Sequence, residues 1–241
     1  MALLFLLGAI LASYMYQLTS TTNINYNMFH SRSKCENCCK NILFRDLIPI
    51  ISYLCLKGKC RFCKSRISLD LFLCELILGT LFLIPLICNT PFDPLLYYFL
   101  VIFLIPLSIY DMKHYIIPNH VLIIMFITAL VLFDMSLKGF LLSILILFLL
   151  HCVYFISNKS IGYGDIKLFS LLSIILSNSQ FLLMFMFTFI IAGIFVLLYS
   201  CACKNLMKKV PLVPFITVST LFVLIFNHQL NYYFLGGLHG H

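Results

Sequence analysis

Pro94-Leu95-Leu96-Tyr97-Tyr98-Phe99-Leu100-Val101-Ile102-Phe103-Leu104-Ile105-Pro106-Leu107-Ser108-Ile109-Tyr110 is a run of seventeen residues without a charge. A hydrocarbon core of about 30 Å takes about 20 apolar residues as a helix, fewer when polar flanks reach the interface. Asp93 stands before this run and Asp111-Met112-Lys113 follows it, so it reads as one crossing of a bilayer. Working outward, similar runs predict about eight transmembrane helices: Ala2 to Leu18, Asp70 to Cys88, Pro94 to Tyr110, Ile116 to Phe133, Gly139 to Ile156, Asp165 to Ser177, Phe181 to Cys201 and Pro211 to Phe234. Composition agrees. The 241 residues are 62% hydrophobic and 10% charged with a mean hydropathy of +1.06, whereas a soluble domain is about one quarter charged. The predicted fold class is therefore an all-α polytopic membrane protein, and soluble, collagen-like, disordered and disulfide-scaffold chains are excluded.

The chain divides on this pattern into a first helix (1–18), a polar loop (19–69) and a membrane-embedded bundle (70–241). Nine of the sixteen basic residues, beginning with Arg32, fall in the loop. Excess Lys and Arg mark cytoplasmic loops, which accounts for the formal charge of +8 better than nucleic-acid binding does. With that loop inside, the segments around Lys113, around Lys159 and Lys167, and around Lys204, Lys208 and Lys209 also fall inside, and Lys138 alone falls outside. Both termini are then expected outside. No Lys or Arg precedes Leu3, so the first apolar run is expected to stay as a helix rather than leave as a signal peptide.

Within the loop stand Cys35-Glu36-Asn37-Cys38 and Cys60-Arg61-Phe62-Cys63, two CxxC pairs separated by 21 residues. Each pair can place two thiolates on one ion, and Cys35, Cys38, Cys60 and Cys63 together make a closed tetrahedral zinc site. In a reducing compartment such thiols bind metal more readily than they form lasting disulfides. The apolar material between the pairs, Leu47 to Leu54, is too little to fold alone, and zinc would supply the missing stability. Cys39 and Cys55 read as bystanders. Cys74, Cys88, Cys152, Cys201 and Cys203 read as small buried apolar groups.

Outside the loop few acids remain: Glu75, Asp93, Asp111, Asp134 and Asp165. Asp93 and Asp134 sit in turn-like contexts and read as solvated. Glu75 lies a turn inside the second helix, where an unpaired charge is costly. Asp111 closes the third helix, and Asp165 opens the sixth in Gly162-Tyr163-Gly164-Asp165-Ile166-Lys167. On residues alone they are either interfacial anchors beside their lysines or a converging pair. Two close carboxylates cannot both ionise, which suits general acid/base attack of water on a peptide carbonyl. Gly162 and Gly164 lack a Cβ and allow backbone or substrate to approach. The helix dipole predicts Asp165, at a helix N-terminus, as the anion and Asp111, at a C-terminus, as the holder of the proton.

In order and spacing these residues resemble the type IV prepilin peptidases, which belong with the presenilin-like GxGD intramembrane aspartyl proteases. The resemblance runs through Cys35 to Cys38, Leu47-Ile48-Pro49-Ile50-Ile51-Ser52-Tyr53-Leu54, Gly58 to Cys63, Ile67-Ser68 and Glu75. It continues through Asp111-Met112-Lys113 with Ile117-Pro118-Asn119, Gly162 to Leu168, and Pro211-Leu212-Val213-Pro214-Phe215. It implies an aspartic endopeptidase with Asp111 and Asp165 as the catalytic pair and Gly162 and Gly164 beside the substrate. The enzyme would cleave the basic leader of prepilins or pseudopilins after a glycine, on the cytosolic face of a bacterial inner membrane. It also implies structural zinc on the four cysteines and, in many members, methylation of the new N-terminus with S-adenosylmethionine. Ala12-Ser13-Tyr14-Met15-Tyr16 departs from the family's first-helix pattern, which bears on the methyl transfer. Glu75 matches a position that could bind the cofactor, and equally could pair with Arg66 or another loop cation. The only loop acids able to receive a basic leader are Glu36, Asp46 and Asp70. The rival readings are a noncatalytic membrane assembly protein whose zinc loop binds a partner, and a presenilin-like protease of other specificity. Lipids and prepilins, and no nucleic acid, are the expected partners.

Overall fold

The computed structural model describes residues 1–21, 33–35, 37–87, 92–133, 137–156, 162–203 and 209–230. Arg32, Glu36, Cys88, Asp134, Lys159, Lys204 and Lys208 lie outside the described residues, as do residues 231–241. The helices are α1 (Ala2–Ser20), α2 (Ile51–Cys55), α3 (Leu69–Leu81), α4 (Ile84–Ile87), α5 (Pro94–His114), α6 (Asn119–Leu132), α7 (Leu137–Ile156), α8 (Tyr163–Ile175), α9 (Asn178–Cys203), α10 (Val213–Ile225) and α11 (Asn227–Leu230). Among the described residues there is no β-strand, only two isolated bridges.

Among the described residues five stretches are long and apolar enough to cross a membrane: Ala2–Ser20, Leu69–Ile87, Pro94–His114, Gly139–Ile156 and Asn178–Cys203. Two further apolar helices among the described residues are shorter, α6 with 14 residues and α10 with 13, and α8, which carries Asp165 and Lys167, also has 13. At 1.5 Å per residue these three are about 20 Å long, two thirds of the hydrocarbon thickness. The lipid-facing character is plain on α7, where Leu141, Leu145, Phe148 and Leu149 are each more than half exposed.

The chain forms two compact units. The first comprises residues 1–89 with 98–110, and the second residues 90–97 with 111–241. In the first unit, α1 crosses α3 at small residues. A Cβ on Gly8 would stand 3.1 Å from the Gly79 Cα, and one on Gly79 would stand 3.1 Å from the Phe5 carbonyl oxygen. Without a hydrophobic drive between helices in lipid, such close backbone approach supplies the packing energy. Ala9, Ala12, Cys74 and Leu78 complete this seam with no exposure, in keeping with Cys74 as a buried apolar group, whereas Cys201 and Cys203 are exposed and Cys152 is half-buried, against the same expectation. The Tyr16 hydroxyl donates to Asp70 at the polar end of the seam.

In the second unit the helices are joined by hydroxyl bridges. Ser143 of α7 donates to the Ser173 carbonyl of α8 at 2.7 Å, and Thr188 of α9 pairs with Ser219 of α10 at 2.6 Å. Phe169, Phe181, Phe185 and Phe189 stack between α8 and α9. Asp93 is not merely solvated: it caps α5, accepting the Leu95 N–H at 2.9 Å ahead of Pro94 at the first turn. The other end of α5 stops because Tyr115 turns left-handed (φ +55°), and its N–H closes on the Asp111 carbonyl.

Candidate active site

Asp111 lies in the last turn of α5 and is 4% exposed. Its Oδ2 accepts the Val213 N–H at 3.2 Å, and the carboxylate also accepts from the Leu212 N–H. Val213 opens α10, so the two donors are orphan amides at the start of a helix, where the macrodipole favours a negative charge. Pro214 follows at an N-terminal position that needs no N–H. Thus Asp111 is held by the N-terminus of a different helix from its own. That reverses the dipole expectation, because a carboxylate supplied with two N–H donors suits the anion.

Asp165 is in the first turn of α8, half-buried, and close enough to feel the Asp111 charge. Gly162 caps α8, and a Cβ there would stand 2.7 Å from the Asp165 Oδ2. The carboxylate occupies the space that a side chain would need. A Cβ on Gly164 would stand 3.2 Å from the Ile117 Cβ, so this glycine brings α8 against the segment after Asp111. At both glycines the open space is filled by the chain's own atoms. Lys167 completes the link by donating to the Asn119 Oδ1 at 2.8 Å while lying 4.6 Å from the Tyr163 ring centroid. The two aspartate motifs, far apart in sequence, thus form one cluster. Sequence reasoning singled out residues 211–215 without a task for them; their task is the pair of amides offered to Asp111.

In the first unit the four sulfurs of Cys35, Cys38, Cys60 and Cys63 lie within 4.8 Å of one another. The Cys35 and Cys63 sulfurs are 3.8 Å apart, and a tetrahedron with metal–sulfur bonds of about 2.3 Å has edges of about 3.8 Å. The donors fit a metal ion. Both CxxC turns are built alike. The Cys39 N–H returns to the Cys35 carbonyl and the Lys64 N–H to the Cys60 carbonyl, and an isolated bridge closes each turn, Lys34 with Asn41 and Lys59 with Arg66. Cys39 and Lys64 both take positive φ, +54° and +59°. Cys39 is exposed and serves as the turn residue, which removes it from the ligand set. Backbone N–H groups of Cys38 and Asn37 lower the Cys35 thiol to about 6, and the Ser65 hydroxyl lowers Cys63.

Glu75 is 5% exposed, and its Oε2 accepts the Ile50 N–H at 2.7 Å while the Ser13 hydroxyl also donates to it. Its carboxylate is therefore engaged by the chain itself. Its hydrogen-bond partners are Ile50 and Ser13 rather than Arg66. Asp46 is likewise spent, in a two-pronged contact with Arg61 at 2.8 and 2.6 Å. Arg61 holds the Asp46 carboxyl below its ordinary value.

Comparison with known proteins bears on the family. Residues 6–88 match the bacterial Peptidase A24 N-terminal domain, and residues 98–198 match the type IV leader peptidase family. A prepilin leader peptidase/N-methyltransferase of Bacillus subtilis (strain 168) is 30% identical over 226 residues, covering 89% of this chain and 88% of the relative. Proteins of the same description from Vibrio cholerae (28%, 83% of each chain) and Dichelobacter nodosus (27%, 87% of this chain and 76% of the relative) are also similar. No solved structure matches. With both family domains matched in order and a relative aligned along nearly its whole length, the chain belongs to the type IV leader peptidase family.

Proposed function

We propose that this protein is a membrane aspartyl endopeptidase that removes the leader of prepilin or pseudopilin precursors, with Asp111 and Asp165 as its catalytic pair. The observation that carries the reading is the placement of Asp111 on the Leu212 and Val213 amides within charge reach of Asp165. Asp111 is the base and Asp165 carries the proton. A water between them gives its proton to Asp111 and its hydroxide to the scissile carbonyl carbon, while Asp165 protonates the carbonyl oxygen. When the C–N bond breaks, the leaving amine takes the proton from Asp111, and the hydroxyl proton of the intermediate returns to Asp165. Gly162 and Gly164 serve this pair by leaving room for the Asp165 carboxylate and for Ile117.

The tetracysteine centre is proposed to hold zinc in a structural role, since four sulfurs leave no open position for chemistry. The loop and the aspartates are proposed to lie on the cytosolic side of the inner membrane, a reading supported by the excess of Lys and Arg in the loop. Methyl transfer to the new N-terminus is proposed on the strength of the relatives' names. S-adenosylmethionine would supply the methyl group, and Glu75, already engaged, is not assigned to it.

Asp111→Asn and Asp165→Asn are each expected to abolish cleavage of a co-expressed prepilin, read by mass spectrometry of its N-terminus, while membrane insertion and metal content stay unchanged. Cleavage persisting in either variant rejects the pair.

A further inference from the structure

The segment between the two CxxC turns is apolar, yet it does not make a core. Leu47, Ile48, Ile51 and Leu54 are 42%, 42%, 53% and 61% exposed. Its position along the spanning helices explains this. The Ile50 N–H is bound by Glu75, which stands six residues after Leu69, the start of α3. At 1.5 Å per residue that is about 9 Å beyond the helix end. Ser13, the other partner of Glu75, lies seven residues before Ser20, the end of α1, which is about 10 Å inside that helix. Two helices therefore give the same depth. An apolar cavity of about 430 Å³ extends further the same way, lined by Phe5, Leu6 and Leu83 from the spanning stretches and by Pro49, Ile50 and Ile51 from the loop.

Non-helical backbone survives at membrane depth only where its polar groups are satisfied within the protein. Pro49 has no N–H to satisfy. The Ile50 amide goes to Glu75, the Ile51 amide to the Pro49 carbonyl at 2.6 Å, Ser52 to Ile48 at 3.1 Å and Leu54 to Ile50 at 3.0 Å. Ile50 takes φ +62° and ψ −54°, a strained γ-turn for a β-branched residue. The turn aims its N–H at Glu75. Immediately after α2, a second cavity of about 480 Å³ is lined by Lys57, Lys59, Arg61 and Lys64. The three lysines have no acidic partner among the described residues. Apolar side chains followed by unpaired cations is the order in which a chain leaves acyl chains and meets lipid phosphates.

We propose that Leu47 to Leu54 form a re-entrant membrane segment of the metal-binding loop, seated in the leaflet beside α1 and α3, with Ile51 and Leu54 against acyl chains and the Lys57, Lys59 and Lys64 basin against the phosphates of anionic lipids. The Glu75 carboxylate is its anchor inside the bilayer. This fastens the metal centre to the membrane at two levels.

The chain contains no tryptophan, so one introduced residue reports alone. Full-length Leu54→Trp and, separately, Ile51→Trp are reconstituted in phosphatidylglycerol and phosphatidylcholine nanodiscs. Both are expected to show blue-shifted emission, quenching by brominated acyl chains and loss of access to aqueous iodide, as Leu145→Trp on α7 should. Asn41→Trp on the first CxxC turn should show the reverse. Adding Glu75→Ala is expected to restore iodide access at position 54. Replacing Lys57, Lys59 and Lys64 by Glu should abolish the preference of the protein for retained phosphatidylglycerol over phosphatidylcholine in native mass spectrometry. Water-exposed emission at both 51 and 54 overturns the re-entrant placement. An unchanged lipid preference in the triple variant overturns the phosphate contact.

Discussion

Gly162→Ala isolates the geometry of the second aspartate. The backbone of Gly162 (φ −61°, ψ 128°) suits any residue, so the substitution adds no backbone strain. The added Cβ would stand 2.7 Å from the Asp165 Oδ2, whereas ordinary contact begins at 3.4 Å, so the carboxylate must retreat by about 0.7 Å. Misplacing a reacting group by about 1 Å costs on the order of 100-fold, so kcat/KM for leader cleavage should fall roughly 30- to 100-fold, or about 2 to 3 kcal/mol. Loss of the capping glycine will also cost the helix up to about 1 kcal/mol, because alanine is a poor N-cap. Gly162→Ser separates the two effects: serine caps well but carries the same Cβ, so stability should return while activity does not. Gly164→Ala meets the Ile117 Cβ at 3.2 Å, a shortfall of a few tenths of an ångström, and should lose only several-fold. The assay is initial-rate cleavage of a purified prepilin in nanodiscs, with thermal unfolding measured alongside. Native kcat/KM in both Gly162→Ala and Gly162→Ser would refute the placement of Asp165.

Metal analysis of protein purified without chelator should find one ion per chain, and Cys60→Ser should lose it together with protection of the loop from proteolysis; an ion retained in that variant contradicts the four-sulfur centre. Because Arg61 holds the Asp46 carboxyl below its ordinary value, the contact contributes fully above the unfolded value of about 3.9 and is lost as pH falls through the lower folded value. Pepsin nicking of the loop should therefore rise below about pH 4, and Asp46→Asn should already be nicked at pH 5; identical profiles for both proteins count against the clamp.

Five of the eight expected spans were legible because lipid imposes length and apolarity directly on sequence, and the boundaries of α7 and α9 fall within a few residues of the expected ones. The two CxxC pairs and the two aspartates were legible because their chemistry fixes residue type and spacing. What holds them was not. The donor to Asp111 is a backbone amide 102 residues away, and backbone amides carry no side-chain signature. The same applies to Glu75, whose depth signalled a partner but whose partner is the Ile50 N–H, exposed by a backbone turn that isoleucine disfavours. The helix each aspartate sits on carries no sign of the α10 amides that reach Asp111, so the helix dipole alone favours the opposite proton assignment to the one proposed here.

The shortness of α6, α8 and α10 has an elastic consequence. Each falls about 10 Å short of the bilayer's apolar thickness. Where a bilayer meets the exposed side of such a helix, as at Ile123, Ile127 and Val131 of α6, thinning would accommodate the shortfall at a fraction of a kcal/mol for every ångström of mismatch. Such thinning would draw headgroups and water down toward the start of α8 and α10, where Asp165 and the amides that hold Asp111 lie. Hydrolysis within a membrane protein requires water, and here the lipid itself, by deforming around short helices, would deliver it.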